Sequence, residues 1–321
     1  MMKVGVVGGT GYAGAELIRL LISHPRVELS EVVSHSKSGM RLDVLHPGLL
    51  GCTELSTTEF NPERLAKLDA VFVAVPHGKA APLCDALDSA GAKVILDLSR
   101  DHRHADGWVY GLAEWNHQKL PGAKRIAVPG CFATAISMAC APFIASGEVT
   151  GTPRIVAATG STGLGATPAK SGHHPERFTN LKAYKVLSHQ HGPEINTFLS
   201  GLANVDPIRF VPLSAPIDRG ILATAMLPMK SEWSLERAQS ALEQKYADHP
   251  LVRVRESSPE IRHVRATAFC DVATFVDGQD VVVISAIDNL GKGASTQAVQ
   301  CLNHCFDWPV QTGLLNPPTL P

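Results

Sequence analysis

A glycine-rich turn near the start of the chain constrains the fold more than any other feature of the sequence. The turn is a complete GxGxxG motif, Gly9-Thr10-Gly11-Tyr12-Ala13-Gly14. It follows a β-branched run at residues 3–7 and opens a helical pattern at residues 15–21. In this context glycine permits a tight turn and close approach of the backbone to a pyrophosphate, while the helix N-terminus supplies N–H donors. We therefore predict that residues 9–14 bind a dinucleotide cofactor.

The hydrophobic pattern predicts two domains of different class. Short buried strands alternate with helices in the first third of the chain, which indicates a parallel sheet covered on both faces. After about residue 150 the strands are longer and one helix lies among them, which indicates a mixed or antiparallel sheet in an α+β domain. The predicted strands are residues 3–7, 27–33, 70–75, 93–98, 221–227, 264–275 and 281–287, with helices at about 235–246 and 294–306.

The predicted fold class is therefore α/β. A Rossmann-type dinucleotide-binding domain takes residues 1–130 and 291–321, and an α+β catalytic and oligomerisation domain takes residues 131–290. A chain of 321 residues is long enough for two such domains.

Charge and cysteine content exclude several classes of protein. The chain has 29 basic and 30 acidic side chains, so no basic excess favours nucleic acid or an anionic membrane as a partner. Its seven cysteines are irregularly spaced without a CxxC pair, which argues against a disulfide framework and a structural zinc site. The N-terminus lacks the pattern of a secretory signal, and the longest apolar stretch, residues 135–145, is too short to span a bilayer. We expect a cytoplasmic protein.

The residues after the second predicted strand indicate which dinucleotide is bound. A site for NAD usually places Asp or Glu there to bind the ribose 2′-hydroxyl. This chain has Ser34, Ser36 and Lys37 instead. Hydroxyls and a cation suit a 2′-phosphate, which a carboxylate would repel. We therefore predict NADP(H) as the cofactor.

One cysteine has the surroundings of a nucleophile. Cys131 follows a predicted strand and Pro129-Gly130, and an Ala-rich helix begins near it. A helix N-terminus lowers a thiol pKa and so favours the nucleophilic thiolate. Lowering it from about 8.5 to about 7 requires roughly 2 kcal/mol, whereas a helix end typically supplies about 0.3–1 kcal/mol. A second activating group is expected, and the other six cysteines are assigned to packing.

Two histidines are candidates for that group. His189 and His191 would share one face if their segment were extended, and Glu194 could orient one of them. The same histidines could be metal ligands with His173 and His174, but a four-coordinate site also needs matching geometry and hydrogen-bonded ligands, so no metal is predicted.

Seven motifs in order resemble the N-acetyl-γ-glutamyl-phosphate reductases of arginine biosynthesis, in the aspartate-semialdehyde dehydrogenase superfamily. The resemblance runs from end to end of the chain. The matching stretches are residues 8–17, 96–103, 110–116, 128–134, 189–195, 219–221 and 288–300. The chain departs from the family pattern at Phe132-Ala133, where members often have Tyr-Pro, and at His102, where they often have Phe.

The resemblance implies that NADPH reduces an acyl phosphate to a semialdehyde with release of phosphate. Cys131 would form a thioacyl intermediate, and His191 or His189 would be the acid/base. Arg103, Glu114 and Arg219 would bind the substrate. Pro76 and Asn289 lie in segments that would border the nicotinamide. The resemblance also implies a homodimer or homotetramer.

Two alternatives remain at this stage. The stretch from His173 to Arg177 also resembles a relative that reduces an aminoadipyl (or glutamyl) phosphate on a carrier protein in lysine biosynthesis. A non-catalytic NADP-binding regulator is a second alternative, although it would not require Cys131, the histidine pair and the arginines together. The arginine-pathway reaction is favoured because the stretches at 110–116 and 189–195 resemble that enzyme more closely.

Overall fold

A computed structural model describes residues 1–318 and divides the chain into two compact units. Unit 1 comprises Met1–Gly130 and Ala294–Asn316, and unit 2 comprises essentially Cys131–Gly293. The predicted domain boundaries were 1–130 with 291–321 and 131–290, of which residues 319–321 lie outside the described part. No helix among the described residues is long and apolar enough to cross a membrane.

Unit 1 is built on a seven-stranded parallel sheet of order β3-β2-β1-β4-β5-β7-β6. Its strands are β1 (Met2–Val7), β2 (Val27–Val33), β3 (Thr57–Thr58), β4 (Ala70–Val73), β5 (Ile95–Asp97), β6 (Val109–Tyr110) and β7 (Arg125–Ala127). Its helices are α1 (Tyr12–Ile22), α2 (Leu42–Leu45), α3 (Pro62–Leu65), α4 (Ala80–Ser89), α5 (Ala113–Asn116) and, from the end of the chain, α10 (Thr296–Cys305). The apolar strands β1 and β4 lie at its centre. From β1 the chain continues to β2 and β3 on one side of the sheet and then to β4 and β5 on the other side. In sheets of this kind a ligand crevice forms between the two central strands, at their carboxyl ends.

Unit 2 is built on a seven-stranded mixed sheet of order β12-β13-β14-β11-β8-β10-β9, with parallel pairs β8–β10 and β12–β13. Its strands are β8 (Arg154–Thr159), β9 (Lys182–Ala183), β10 (Arg209–Ser214), β11 (Ile221–Pro228), β12 (Val252–Val254), β13 (Cys270–Asp277) and β14 (Asp280–Ile287). Its helices are α6 (Cys131–Ala145), α7 (His174–Arg177), α8 (His191–Ser200) and α9 (Leu235–Tyr246). The predicted α/β fold class, with a Rossmann-type sheet and a second mixed sheet, is confirmed.

Helix α6 is the core element of unit 2, and residues 132–144 are all buried. It contains Pro142, which has no N–H to donate to the carbonyl of Met138 four residues earlier. The Tyr246 hydroxyl on α9 donates to that carbonyl instead, at 2.6 Å. The helix therefore continues through a proline because a neighbouring helix supplies the missing donor.

Two predicted elements have different bounds in the structure. The strand predicted at 264–275 begins only at Cys270, because Ala266 has a left-handed φ of 59° and donates its N–H to Asp288. The helix predicted at 294–306 is preceded by a π-helical turn, Gly291–Ser295, and becomes α-helical from Thr296 to Cys305.

Candidate active site

The GxGxxG turn joins β1 to α1, and its three glycines have different environments. A Cβ on Gly9 would lie 2.3 Å from Val32, and a Cβ on Gly14 would lie 2.2 Å from the Gly8 carbonyl oxygen. A Cβ on Gly11 would meet no protein atom closer than 3.8 Å. Packing within unit 1 therefore requires glycine at 9 and 14 but leaves the backbone at Gly11 open. An open backbone at a helix start fits a pyrophosphate.

The start of α1 suits an anion. Its first turn contains no acidic residue, and the N-cap Gly11 offers no side-chain acceptor to the first N–H groups. Thr10 and Ala13 are partly exposed and Tyr12 is exposed. The His46 imidazole lies beside the turn, with Nε2 2.8 Å from the Gly9 carbonyl oxygen. No sequence pattern had indicated His46.

The loop after β2 presents the residues predicted to select NADP(H). Ser34 is buried, and its Oγ accepts the backbone N–H of Lys37 at 3.2 Å. Ser36 and Lys37 are exposed. The buried Ser34 thus shapes the loop, while the hydroxyl and ammonium groups of its neighbours reach solvent.

The loop after β4 carries Pro76, which is exposed. Asp101 orders the residues that follow, because its carboxylate accepts the N–H groups of Gly78, Ala80 and Ala81 at the start of α4. These bonds lower the pKa of Asp101 against the opposing effect of its partial burial, which is the larger single influence.

Arg103 and Glu114, predicted to bind substrate, both have partners inside unit 1. The Arg103 guanidinium donates to the carbonyls of Val128, at 2.9 Å, and Leu98, at 3.3 Å, and is 8% exposed. Glu114 has no exposed surface and accepts from Gln300 on α10 at 2.9 Å. The structure places Glu114 in an internal hydrogen-bond network, so its role in substrate binding stays a prediction.

Cys131 is the first residue of α6, at the helix start where the sequence predicted it, and it is half-buried. The backbone of Gly293 passes next to it, and a Cβ on Gly293 would lie 2.7 Å from the Cys131 Cβ. The position of Cys131 at the start of a 15-residue helix places its sulfur near the positive end of the helix dipole.

Aromatic rings and imidazoles form a cluster beside Cys131 in unit 2. The cluster consists of Phe132, Tyr184, His189, His191 and Phe210. The ring of Phe132, the residue after Cys131, lies 5.2 Å from His189 and 6.1 Å from His191. The two imidazoles are 4.8 Å apart. The structure therefore places both histidines against the residue that directly follows the nucleophile candidate.

The local conformation of the histidine pair differs from the prediction. The segment is not extended, because His189 lies in the loop that precedes α8 and His191 is the first residue of that helix. The two imidazoles meet across a helix start instead of on one face of a strand. Glu194 is buried in the first turn of that helix.

His189 is held in one protonation state. Its Nδ1 accepts the backbone N–H of His191 at 3.2 Å, so the neutral ring carries its proton on Nε2. Burial, and then the charge of Lys185, lower the pKa of His189 to about 4. At neutral pH it is therefore a neutral ring whose Nε2–H can donate a hydrogen bond.

Sequence patterns did not assign Tyr184, a member of this cluster, or Arg177, which interacts with Tyr184, to the site. The ring of Tyr184 is 5.7 Å from that of His189. Burial raises the pKa of Tyr184, and the negative charge of Cys131 adds to the shift while Arg177 opposes it. Arg177 is 8% exposed within a segment that is otherwise exposed. Residues 163–188 have a loop-like composition, and the resemblance at residues 173–177 indicated no role for either side chain.

Arg219 and Asn289 form a second network in unit 2. Nε and Nη2 of Arg219 each lie 2.9 Å from an oxygen of the fully buried Asp288. Asn289 accepts the N–H of Gly220 at 2.8 Å and donates to Thr162 at 3.0 Å. The contacts observed for these two residues hold the turn that leads to Gly293. Their predicted contacts, of Arg219 with substrate and of Asn289 with cofactor, stay predictions.

The remaining cysteines and histidines give one correction. Cys84, Cys140, Cys270, Cys301 and Cys305 are buried, as predicted for packing residues. Cys52 is exposed, so its assignment to packing is wrong. His173 and His174 are exposed.

Cys84, Asp97 and His102 are close enough to share a metal ion, the one such group found among residues 1–318. However, His102 Nδ1 and Asp97 are already hydrogen-bonded at 2.7 Å, and burial raises the pKa of Cys84, which favours the thiol.

Comparison with known proteins identifies the family. Residues 3–123 match the family model described as semialdehyde dehydrogenase, NAD binding domain, and residues 131–289 match semialdehyde dehydrogenase, dimerisation domain. An N-acetyl-gamma-glutamyl-phosphate reductase of Methanocella arvoryzae is 38% identical over 332 residues, covering 98% of each chain.

Solved structures share the fold at low sequence identity. A probable aspartate-semialdehyde dehydrogenase from Pseudomonas aeruginosa superposes with a TM-score of 0.75 at 16% identity, over 94% of this chain and 97% of that one. An aspartate semialdehyde dehydrogenase with NADP from Candida albicans gives a TM-score of 0.69 at 14% identity, over 95% and 99%. From these matches, and from the 38% identity over nearly the whole length above all, the chain belongs to the N-acetyl-γ-glutamyl-phosphate reductase family of semialdehyde dehydrogenases.

Proposed function

We propose that this protein reduces N-acetyl-γ-glutamyl phosphate to N-acetylglutamate semialdehyde with NADPH, releasing phosphate, as in arginine biosynthesis. The observation that carries the proposal is the placement of Cys131 at the first position of α6, next to the ring of Phe132 that contacts both His189 and His191. Acyl phosphates require a strong, soft nucleophile, and a thiolate at a helix start provides one.

Cys131 carries the covalent step. Its thiolate attacks the γ-carbonyl carbon, the bond from that carbon to the phosphate oxygen breaks, and phosphate leaves with the electron pair. The product is a thioester on Sγ. When bound, NADPH supplies the hydride that reduces this thioester. The thiohemiacetal oxyanion then collapses, the C–S bond breaks, and the aldehyde leaves while Cys131 regains its thiolate.

The two histidines are suited to different roles. His189 holds its proton on Nε2, because Nδ1 is occupied by the His191 N–H, so it is suited to donate to the developing oxyanion. We assign the transfer of the Cys131 thiol proton to His191, whose ring is 4.8 Å from that of His189. N–H groups at the start of α6 would hold the oxyanion as well.

NADP(H) is the proposed cofactor, bound in unit 1. The open backbone at Gly11 and the first turn of α1 would bind the pyrophosphate. Ser36 and Lys37, exposed after β2, would bind the 2′-phosphate. Thr10, Tyr12, Ala13, Ser34, Pro76 and Asn289 stay predicted cofactor residues.

We also propose that the protein is a cytoplasmic homodimer or homotetramer that assembles through unit 2. Large apolar side chains are exposed in one stretch of that unit, as expected of an interface. They are Leu164, Phe178, Leu181, Val186 and Leu187. Cysteines that form no disulfide suit a reducing compartment.

Substitution of the nucleophile tests the reaction. Cys131→Ser should abolish phosphate-dependent reduction of NADP⁺ by N-acetylglutamate semialdehyde while NADPH binding, followed by fluorescence, is retained. Cys52→Ser is the matched control, because Cys52 is exposed, and it should keep full activity. Full turnover by Cys131→Ser would contradict the mechanism.

The histidine assignment is tested in the same assay. His191→Asn should lower kcat by roughly 100-fold or more, within the range for loss of a general acid/base. His189→Asn should cost less and leave the pH dependence of kcat in place. Reversal of these two results would exchange the roles.

A carrier-linked aminoadipyl or glutamyl phosphate is the second candidate substrate, favoured by the resemblance at residues 173–177. Parallel assays of the free acetylated semialdehyde and of the carrier-linked form distinguish the two. The proposal requires the free form to be the better substrate.

A further inference from the structure

Arg177 is a buried cation that lacks a carboxylate partner in unit 2. It is 8% exposed, although its neighbours along the chain, residues 172–176 and 178–181, are all exposed. Nη1 donates to the Ser214 hydroxyl at 2.7 Å, and Nη2 donates to the Ala215 carbonyl at 2.6 Å. Across residues 1–318, no Asp or Glu forms an ion pair with it.

Two neutral acceptors do not neutralise a guanidinium. Burying an unpaired charge is unfavourable, and arginine cannot relieve the cost by losing its proton near neutral pH. Burial lowers the pKa of Arg177, which is the expected sign for a cation that is poorly compensated. The Nε–H has no acceptor among the described residues, so part of the planar fork is available to an anion.

Strand β10 connects Arg177 to the cluster beside Cys131. Phe210, Pro212 and Ser214 alternate along β10 and face the same buried side of the sheet. Phe210 lies 5.1 Å from Phe132 and 5.5 Å from His189, and Ser214 binds Arg177. Phe210 and Ser214 are four residues apart, so they are separated by about 13 Å along the strand. A five-carbon acyl chain, together with the side chains that reach toward it from the two ends, can bridge that distance.

Tyr184 lies between these two ends. Its backbone N–H donates to the Pro212 carbonyl at 3.1 Å, midway between Phe210 and Ser214. Its hydroxyl has no hydrogen-bond partner among the residues described. Both Arg177 and Cys131 act electrostatically on this hydroxyl. A half-buried phenol and an unpaired guanidinium are therefore close enough to interact electrostatically, and both can donate to an oxyanion.

We propose that Arg177, assisted by the Tyr184 hydroxyl, binds an oxyanion of the substrate, either its α-carboxylate or its phosphate. The inference rests on the proposed function, because the anion must belong to the molecule that acylates Cys131. A guanidinium fork binds a carboxylate or a phosphate in a bidentate manner, which an ammonium does not reproduce. Arg177 thus contributes to substrate specificity.

Kinetics of the phosphate-dependent oxidation test the proposal, with the full-length protein and NADP⁺. The variants are Arg177→Met and Arg177→Lys. The matched control is Arg209→Met, because Arg209 is an exposed arginine on the same strand. The KM for N-acetylglutamate semialdehyde and the KM for inorganic phosphate are measured separately, together with the melting temperature and the NADP⁺ affinity.

Arg177→Met should raise one of the two KM values by about 10- to 100-fold, as expected from the loss of a hydrogen-bonded charge pair. Arg177→Lys should recover part of this loss, kcat should change less than KM, and the control should match the wild type. A higher KM for the semialdehyde would show that Arg177 binds the α-carboxylate. The variant should then also lose the preference of the wild type for N-acetylglutamate semialdehyde over 4-acetamidobutanal, which lacks that carboxylate. A higher KM for phosphate assigns the phosphate instead.

Other results would overturn the inference. If folded Arg177→Lys and Arg177→Met both keep the two KM values within twofold of the wild type, Arg177 does not form an oxyanion site. A change in oligomeric mass on gel filtration, with both KM values unchanged, would show that Arg177 meets a carboxylate of a second copy. An inactive wild-type enzyme would refute the proposed function itself, which is a distinct outcome.

Discussion

At the scale of single residues, the proposed nucleophile, Cys131, lies against a neighbour that has no side chain. Gly293 follows the turn fixed by Asp288, whose backbone carbonyl accepts the Gly293 N–H at 2.8 Å. The turn presses the Gly293 backbone against the Cys131 Cβ. The glycine is therefore required by close approach, although its φ is not left-handed.

Gly293→Ala should displace Cys131 and lower kcat by at least about tenfold, because the added methyl group would lie 2.7 Å from the Cys131 Cβ. Steady-state kinetics measure the loss, and NADPH affinity serves as the check on folding. Gly48→Ala is the control, since no atom lies within 4 Å of the position that its methyl group would take. Equal kcat for the two variants would contradict the expectation.

The low pKa of His189 predicts how folding stability varies with pH. The folded-state pKa of about 4 lies below the ordinary 6.5, so the unfolded chain binds the proton first as the pH falls. His189 therefore reduces the free energy of unfolding progressively between pH 6.5 and 4, by about 3 kcal/mol at the limit. Above pH 6.5 this loss is absent.

Urea unfolding of the wild type and His189→Asn at about pH 7.5 and about pH 4.5, on either side of the ordinary histidine pKa, measures this effect. On going to the lower pH, the free energy of unfolding should fall more for the wild type than for His189→Asn. His173→Asn, which removes an exposed histidine, is the matched control. A difference that is independent of pH would be inconsistent with a buried neutral His189.

Sequence patterns indicated some residues of the candidate site and gave no indication of others, for a physical reason. Cys131 and the glycines of the turn were predictable because local chain geometry, a strand followed by a helix start, determines their environment. Arg177 and Tyr184 were not, because their partners lie on β10 and just beyond it, in a part of the chain that is distant in sequence. Such partners appear only once the sheet is formed.

At the scale of elements, a side-chain hydroxyl of α9 couples that helix to the backbone of α6. Pro142 removes the donor that Met138 would normally have, and the Tyr246 hydroxyl replaces it. Residues 132–144 are buried, so water is a poor substitute. The two helices are thus linked by backbone chemistry as well as by apolar contact.

Tyr246→Phe should destabilise the protein by about 1–3 kcal/mol, the usual cost of leaving a buried polar group without its partner. In a Pro142→Ala background the same change should cost less, because the alanine supplies an N–H to the Met138 carbonyl. Urea unfolding of the wild type, the two single variants and the double variant gives the coupling energy. Equal costs in both backgrounds would show that the hydroxyl does not replace the helix donor.

Most elements followed from their hydrophobic period. The strands β2, β11 and β14 and the helix α9 lie within one residue of their predicted bounds. Two predicted elements differ from the structure because contacts or elements distant from the local pattern determine the backbone. Asp288 binds the N–H of Ala266 and thereby prevents an extended strand through residues 264–269. The extended conformation predicted for the histidine segment was also wrong, because α8 begins at His191.

At the scale of the whole molecule, unit 1 is discontinuous along the chain and unit 2 is nearly continuous. The returning helix α10 completes unit 1. Gln297 donates to the Gly111 carbonyl at 2.8 Å, Gln300 binds the buried carboxylate of Glu114, and Asn303 pairs with His24 at 3.1 Å. Hydrophobic patterning predicted both sheets, but a sequence pattern alone does not report which early residues these late side chains meet.

This discontinuity determines the order in which the newly made protein can mature. Domains generally fold as units during synthesis, with the earlier residues first. Here residues 1–130 can contact Gln297, Gln300 and Asn303 only after the chain has been made through α10, whereas unit 2 consists of a nearly continuous stretch. A chain that ends before Thr296 would therefore lack the Gln300 amide that binds the buried carboxylate of Glu114, so unit 1 completes its internal hydrogen bonds only with the last part of the sequence.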